Sequence, residues 1–147
     1  MASGVKDLKV WQESVALAGE VVRAVKQATR RETKHFTDQM VQSAVGVASS
    51  IAQGYASYAP EEQRLSYSDA RRALLDLETR LTIARHAGLL QAPVVVQLAG
   101  RLGTVSRLLA GYVAYLDRQS ENATFAIPSL TVRTDVSSDR EVEVPKA

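Results

Sequence analysis

Residues 35–57, HFTDQMVQSAVGVASSIAQGYAS, form the one helix-length stretch of the chain with almost no charge. Met40, Val41, Ala44, Val45, Val47, Ala48, Ile51 and Ala52 spread over most of a helical circumference, whereas a surface helix keeps one polar face for water. Such a helix has to be covered on more than one side, by its own bundle, by another subunit, or by both. Its many small residues, among them Ser43, Ala44, Gly46, Ser49, Ser50 and Gly54, leave room for a neighbouring helix to approach closely. Gly46 costs about 1 kcal/mol against Ala in an exposed helix, so close packing is the expected reason for it.

The flanking segments show ordinary amphipathic periodicity. Leu8, Trp11, Val15, Ala18, Val22 and Val25 recur at spacings of 3 and 4, which predicts a helix over residues 5–29 with that stripe as its core face and Trp11 at a bundle end. Leu74, Leu77, Leu81 and Ala84, with Leu65 upstream, mark another helix over residues 60–87. Ser57 or Ala59 can cap it, Pro60 suits its first turn, and Glu61 and Glu62 sit where the helix dipole favours anions. The run HAGLL stops it, because Gly88 can take the left-handed position past the helix end and Leu89 can fold back onto the last turn. Leu98, Leu102, Val105, Leu109, Tyr112 and Leu116 define a last helix over residues 93–120. Four helices joined by short turns predict an all-α, up-down-up-down four-helix bundle over residues 1–120. Residues 121–147 are rich in β-branched positions and are interrupted by Pro128, so they are expected to form an extended or disordered tail.

Composition narrows the function classes. A chain of 147 residues can bury roughly 70% of its unfolded surface and needs no staples. The absence of Cys excludes disulfides, thiolate metal sites and Cys nucleophiles, and fits a reducing cytoplasm, the expected location. No basic start precedes an apolar run, and Arg or Lys interrupts every long apolar segment, so neither a signal peptide nor a membrane span is expected. The net charge of +2 conceals an asymmetry. Residues 1–119 carry 15 basic against 11 acidic side chains, and residues 120–147 carry 3 against 5.

The densest basic stretch holds Arg23, Lys26, Arg30, Arg31 and Lys34, opposed only by Glu32 and followed by His35. Two readings stand beside each other: cations placed at a helix C-terminus and its turn by the macrodipole, or a patch for phosphate. Arg72, Asp76 and Arg80 are four apart and read as a structural charge ladder, whereas Arg64 and Arg71 stand outside it and are candidate contacts for an anion. Tyr58 and Tyr67 could stack on bases, although a helix surface or subunit rim is the commoner place for Tyr. No catalytic set emerges. Ser49 and Ser50 have no paired His and acid, and Glu20, Glu78, His35 and His86 lack the Glu-x-x-His spacing of di-metal bundles. No enzyme activity, metal or cofactor is expected.

The segments DLKVWQESVALAGEVV, QMVQSAVGVASSIAQGYAS and RLSYSDARRALLDLETRLTIARHAGLL together resemble the four-helix-bundle proteins encoded in intervening sequences of bacterial 23S ribosomal RNA genes, the S23 family. The resemblance covers residues 7 to about 116. Where that family has Asn-Ile-Ala-Glu-Gly, this chain reads Ser50, Ile51, Ala52, Gln53, Gly54, so two polar signature positions differ. The resemblance implies a homopentamer and kinship with the accessory variability determinant proteins of diversity-generating retroelements, which bind nucleic acid and a reverse transcriptase. On that basis Met40, Val41, Val45, Ala48, Ile51, Ala52 and Tyr55 are the expected subunit interface. The expected function is a non-enzymatic oligomer that binds RNA or an RNA-protein complex through Arg23, Lys26, Arg30, Arg31, Lys34, Arg64 and Arg71. The alternative is a protein scaffold or adaptor with no nucleic-acid role.

Overall fold

The computed structural model describes residues 4–126, those past 122 by their backbone alone. A single 3-10 turn, Val5–Asp7, leads into α1, Lys9–Ala28. A second 3-10 turn, Arg31–Thr33, leads into α2, Lys34–Ala56, which is followed by α3, Pro60–His86, and α4, Ala92–Ala126. The four helices are those predicted, and no strand occurs among the described residues. One boundary moves: residues 121–126, expected to begin an extended tail, are the last turns of α4. The rest of the expected tail lies outside the described residues. The chain divides into two compact units, Met1–Gly111 and Tyr112–Ala147. Of the second, the end of α4 is described, with Tyr112 and Leu116 half-buried.

Each helix of the first unit buries one stripe. On α2 it is Thr37, Met40, Ala44, Val47, Ile51 and Gly54; on α3 it is Tyr67, Ala70, Leu74, Leu77, Leu81 and Ala84; on α4 it is Val95, Leu98, Leu102, Val105 and Leu109. On α1 the buried stripe is Val10, Ser14, Leu17, Val21 and Val25, one position earlier than the predicted one except at Val25. Val15 and Val22 are each 42% exposed. The polar letter at Ser14 hides the true stripe, yet Ser14 is fully buried because its hydroxyl donates to the Trp11 carbonyl at 2.8 Å, leaving no unpaired group. Leu65 is exposed, and Tyr67, expected at a surface or rim, is a core residue.

Polar contacts fix which way each helix is turned. Glu13 and Glu20, one position before Ser14 and Val21, reach Arg101 of α4 at 2.8 and 2.7 Å. Gln39 and Ser43, one position before Met40 and Ala44, reach Arg80 and Asp76 of α3. Successive residues of an α-helix are rotated by about 100°. The positions one after each buried stripe therefore lie on the opposite flanks, which α1 and α2 turn toward each other. Trp11, Val15, Ala18 and Val22 of α1, and Val41, Val45, Ala48, Ala52 and Tyr55 of α2, line the outer edge of that seam. All are half-buried or exposed.

The end of α3 follows the expected stop. Gly88 has φ 75°, its N–H donates to the Arg85 carbonyl at 3.1 Å, and the Leu89 N–H donates to the Ala84 carbonyl at 2.8 Å. Leu90 is then buried.

The glycines of α2 exchange the roles expected of them. A Cβ at Gly46 would meet the Ala73 Cβ at 3.7 Å, an ordinary contact, so close packing does not require glycine there. A Cβ at Gly54 would collide with Cε1 of the Tyr67 ring and lie 2.7 Å from its Cζ. Gly54→Ala is expected to destabilise the chain by about 1–3 kcal/mol in urea melts, as overpacking does. Gly46→Ala is expected to stabilise it by up to ~1 kcal/mol. Equal effects at the two positions would contradict this assignment.

Candidate nucleic-acid interface

Up-down connection brings the α1–α2 turn and the α3–α4 turn to one end of the bundle. Arg30, Glu32, Thr33 and Phe36 there line a cleft of about 350 Å³ together with Ile83, Ala87, Gly88 and Leu89. The turn is pinned locally. Thr33 Oγ1 accepts from the Arg30 N–H at 3.3 Å and is 3.4 Å from the Arg30 carbonyl. The Thr29 hydroxyl donates to the Val25 carbonyl at 2.6 Å, and the buried Thr37 hydroxyl donates to the Lys34 carbonyl at 3.0 Å.

The predicted cations divide among three places. Arg23 and Lys26 are exposed on the last turns of α1, Arg30 and Arg31 are exposed in the turn, and Lys34 opens α2, paired with Asp38 at 2.8 Å. Arg85 and His86, at the end of α3, belong to the same bundle end and are exposed. They were not among the predicted contacts. Their sequence distance hides them, and only the antiparallel connection of the helices reveals them. Arg64 lies in the first turns of α3, some 33 Å from His86 along the helix at 1.5 Å per residue, and so belongs to the other end. Arg71 lies midway and lines a separate cleft of about 410 Å³ between α3 and α4, with Ser68, Arg72, Leu75, Glu78 and Ser106. No single patch unites all seven. Around the cleft, residues 23–38 and 83–92 carry six Lys or Arg against two acidic side chains, Glu32 and Asp38.

The expected subunit interface also divides. Met40 and Ile51 are fully buried within the chain's own core, which corrects their assignment to a subunit contact, since they have no surface to offer a second copy. Val45 is 46% exposed, and Val41, Ala48, Ala52 and Tyr55 are half-buried on the flank described above.

Arg80 ties the α2–α3 seam. Its Nε donates to Asp76 at 2.7 Å, its Nη1 donates to Gln39 Oε1 at 2.9 Å, and its guanidinium lies 5.9 Å from the centroid of the Phe36 ring. The Ser43 hydroxyl also donates to Asp76. Arg72 pairs with Asp69 at 2.9 Å, so the ladder predicted through Asp76 is split into two pairs. On the other side of the bundle, Arg101 holds Glu13 and Glu20, and Glu20 Oε1 is buried without a hydrogen-bond partner. Among the described residues no group of three or more His, Asp or Glu side chains could hold a metal ion, and no helix is long and apolar enough to cross a membrane.

The Asp76 carboxyl is held below the usual carboxylate range, chiefly by the hydrogen bond from Arg80 and then by that from Ser43. A lowered folded-state value means that its stabilisation is complete above the ordinary carboxylate pKa of about 4 and fades as pH falls through the lowered one. Because the pair is partly exposed, Asp76→Asn is expected to lose no more than ~1 kcal/mol at pH 7. The difference from the parent should disappear in strongly acidic buffer. Thermal melts across pH 2–7 check this, and a gap that widened on acidification would contradict it.

A family model described as 23S rRNA-intervening sequence protein matches residues 6–111. No curated protein matches the chain.

Proposed function

The chain belongs to the 23S rRNA-intervening sequence protein family, and from that premise we propose that it is a non-enzymatic, cytoplasmic oligomer that binds structured RNA through the basic end of its bundle. The observation that carries this reading is that Arg30 lines a cleft at one end of the bundle, where the adjoining turn and helix ends also expose Arg31, Lys34 and Arg85, with Glu32 and Asp38 as the acidic side chains among them. Charge of this kind grips phosphate without reading sequence. A reverse transcriptase-like partner bound beside the RNA belongs to the same reading, on the kinship with accessory variability determinant proteins that the resemblance implies.

The apolar flank formed by α1 and α2 supports self-association, and five copies is the stoichiometry that the resemblance implies. Val15, Val22 and Val45 are large apolar groups left more than two-fifths exposed along one seam, a surface that a second copy can cover. This surface also favours a second reading, in which a different protein occupies the flank and no RNA is bound.

Salt titration of full-length protein on a structured RNA tests the first reading. Affinity should fall steeply with salt, and Arg30→Ala with Arg31→Ala should shallow the log–log slope by roughly 0.7–0.9 for each phosphate no longer neutralised. Arg64→Ala, at the far end, should change it little. Equal effects from both ends would remove the basic end as the site, and no salt-sensitive binding would leave the scaffold reading in its place. Native mass spectrometry tests assembly. Five copies are expected for the parent, and Val45→Asp, at a half-exposed position, should dissociate them without unfolding the chain. A monomeric parent would overturn self-association.

A further inference from the structure

The cleft at the basic end is lined in a way that phosphate binding does not require. Phe36 and Ile83 form apolar walls, Ile83 being 48% exposed, and Leu89 adds to them. Glu32, a carboxylate, lines the same cleft and is exposed at its rim. Arg30 lines the cleft as well, and the Ile83, Ala84 and Arg85 carbonyls at the end of α3 already accept N–H groups from residues 87–90. A phosphate driven deep into the cleft would be repelled by Glu32. A flat group with a hydrogen-bond-donor edge would not, and its charged backbone could stay outside on Arg30, Arg31 and Lys34.

We propose that this cleft takes an unpaired nucleobase, stacked against Phe36 and Ile83, with its donor edge on Glu32, and that guanine fits it best. This rests on the RNA reading above and deepens it: the basic end grips the backbone, and the cleft selects RNA that can offer a splayed base. The volume of about 350 Å³ falls within the ~300–1,000 Å³ typical of small-molecule sites. Arg80, itself bonded to Asp76 and Gln39, lies 5.9 Å from the Phe36 ring centroid and is one neighbour that holds the ring against the α2–α3 seam. Recognition of unpaired bases by stacking on an aromatic side chain is the general mode by which single-stranded RNA is read. Guanine presents N1–H and N2–H₂ side by side, a pair of donors that one carboxylate can accept together, whereas adenine and cytosine each present a single amino group on that edge.

The test uses the full-length protein and three RNAs of equal length and charge: a hairpin with one unpaired guanine, the same hairpin with adenine there, and a fully paired duplex. Binding is read by fluorescence anisotropy at fixed salt. The guanine hairpin is expected to bind about tenfold tighter than the duplex, as one stacked base allows. Phe36→Ala should abolish that preference, bringing hairpin affinity down to that for the duplex, and Glu32→Gln should abolish the preference for guanine over adenine. Ile83→Ser, at a half-exposed position, serves as the second variant if Phe36→Ala fails to fold, and it should weaken hairpin binding selectively. Equal, salt-sensitive binding of all three RNAs would overturn the base site and leave the basic end standing. A preference that survives both wall substitutions would also overturn the site, and binding of none of the RNAs at low salt would overturn the RNA reading with it.

Discussion

Helix α2 is apolar on two adjacent stripes, and a four-helix bundle can bury only one of them completely. The stripe through Met40, Ala44, Val47 and Ile51 fills the core. The stripe through Val41, Val45, Ala48 and Ala52, rotated by about 100°, is left at the edge of the seam with α1, where Val15 and Val22 add to it. Which stripe goes inward is set by the partners that α3 offers. Tyr67 packs against the bare backbone of Gly54, and Arg80 and Asp76 take Gln39 and Ser43. Rotating α2 to bury the other stripe would break these interactions and put Gln39 and Ser43 out of reach of α3.

The same doubling explains what could be read from the sequence and what could not. Helix number and order were legible because the 3-and-4 spacing, the start at Pro60 and the stop at Gly88 are local signals, whereas the end of α4 was not. The phase of α1 was not. Its two stripes are both spaced for a helix, and the buried one contains Ser14 while the exposed one contains Trp11, so hydrophobicity alone favours the wrong face. Nothing local reveals that the Ser14 hydroxyl is satisfied by the carbonyl of Trp11. In α2 the run of small residues announced a close approach but could not say which glycine makes it, because that depends on where Tyr67 arrives from α3.

The candidate site was half legible for a related reason. A basic run such as 23–34 is visible as a run, but a patch is a property of space. Arg85 and His86 are about fifty residues away in sequence and join it only through antiparallel topology, and the same topology sends Arg64 to the far end. The cleft between Arg30, Phe36, Ile83 and Gly88 has no sequence signature, since its walls come from two turns and two helices that nothing in the spacing connects.

The apolar flank runs along the bundle, whereas the cations gather at its end, and the two surfaces therefore do not compete. A contact made lengthwise along the α1–α2 seam and repeated about a cyclic axis parallel to the helices keeps like ends together, so every basic end would face the same way. Each end taken alone has a small excess of charge, and its grip on a polyanion would be screened at physiological salt. Arrayed on one face, as the proposed assembly would place them, the ends would act on one RNA at a shared effective concentration, and binding that is weak per copy would become strong for the whole. Under the proposed assembly through α1 and α2, a patch as modest as Arg30, Arg31, Lys34 and Arg85 would gain from its copies the grip on RNA that one copy lacks.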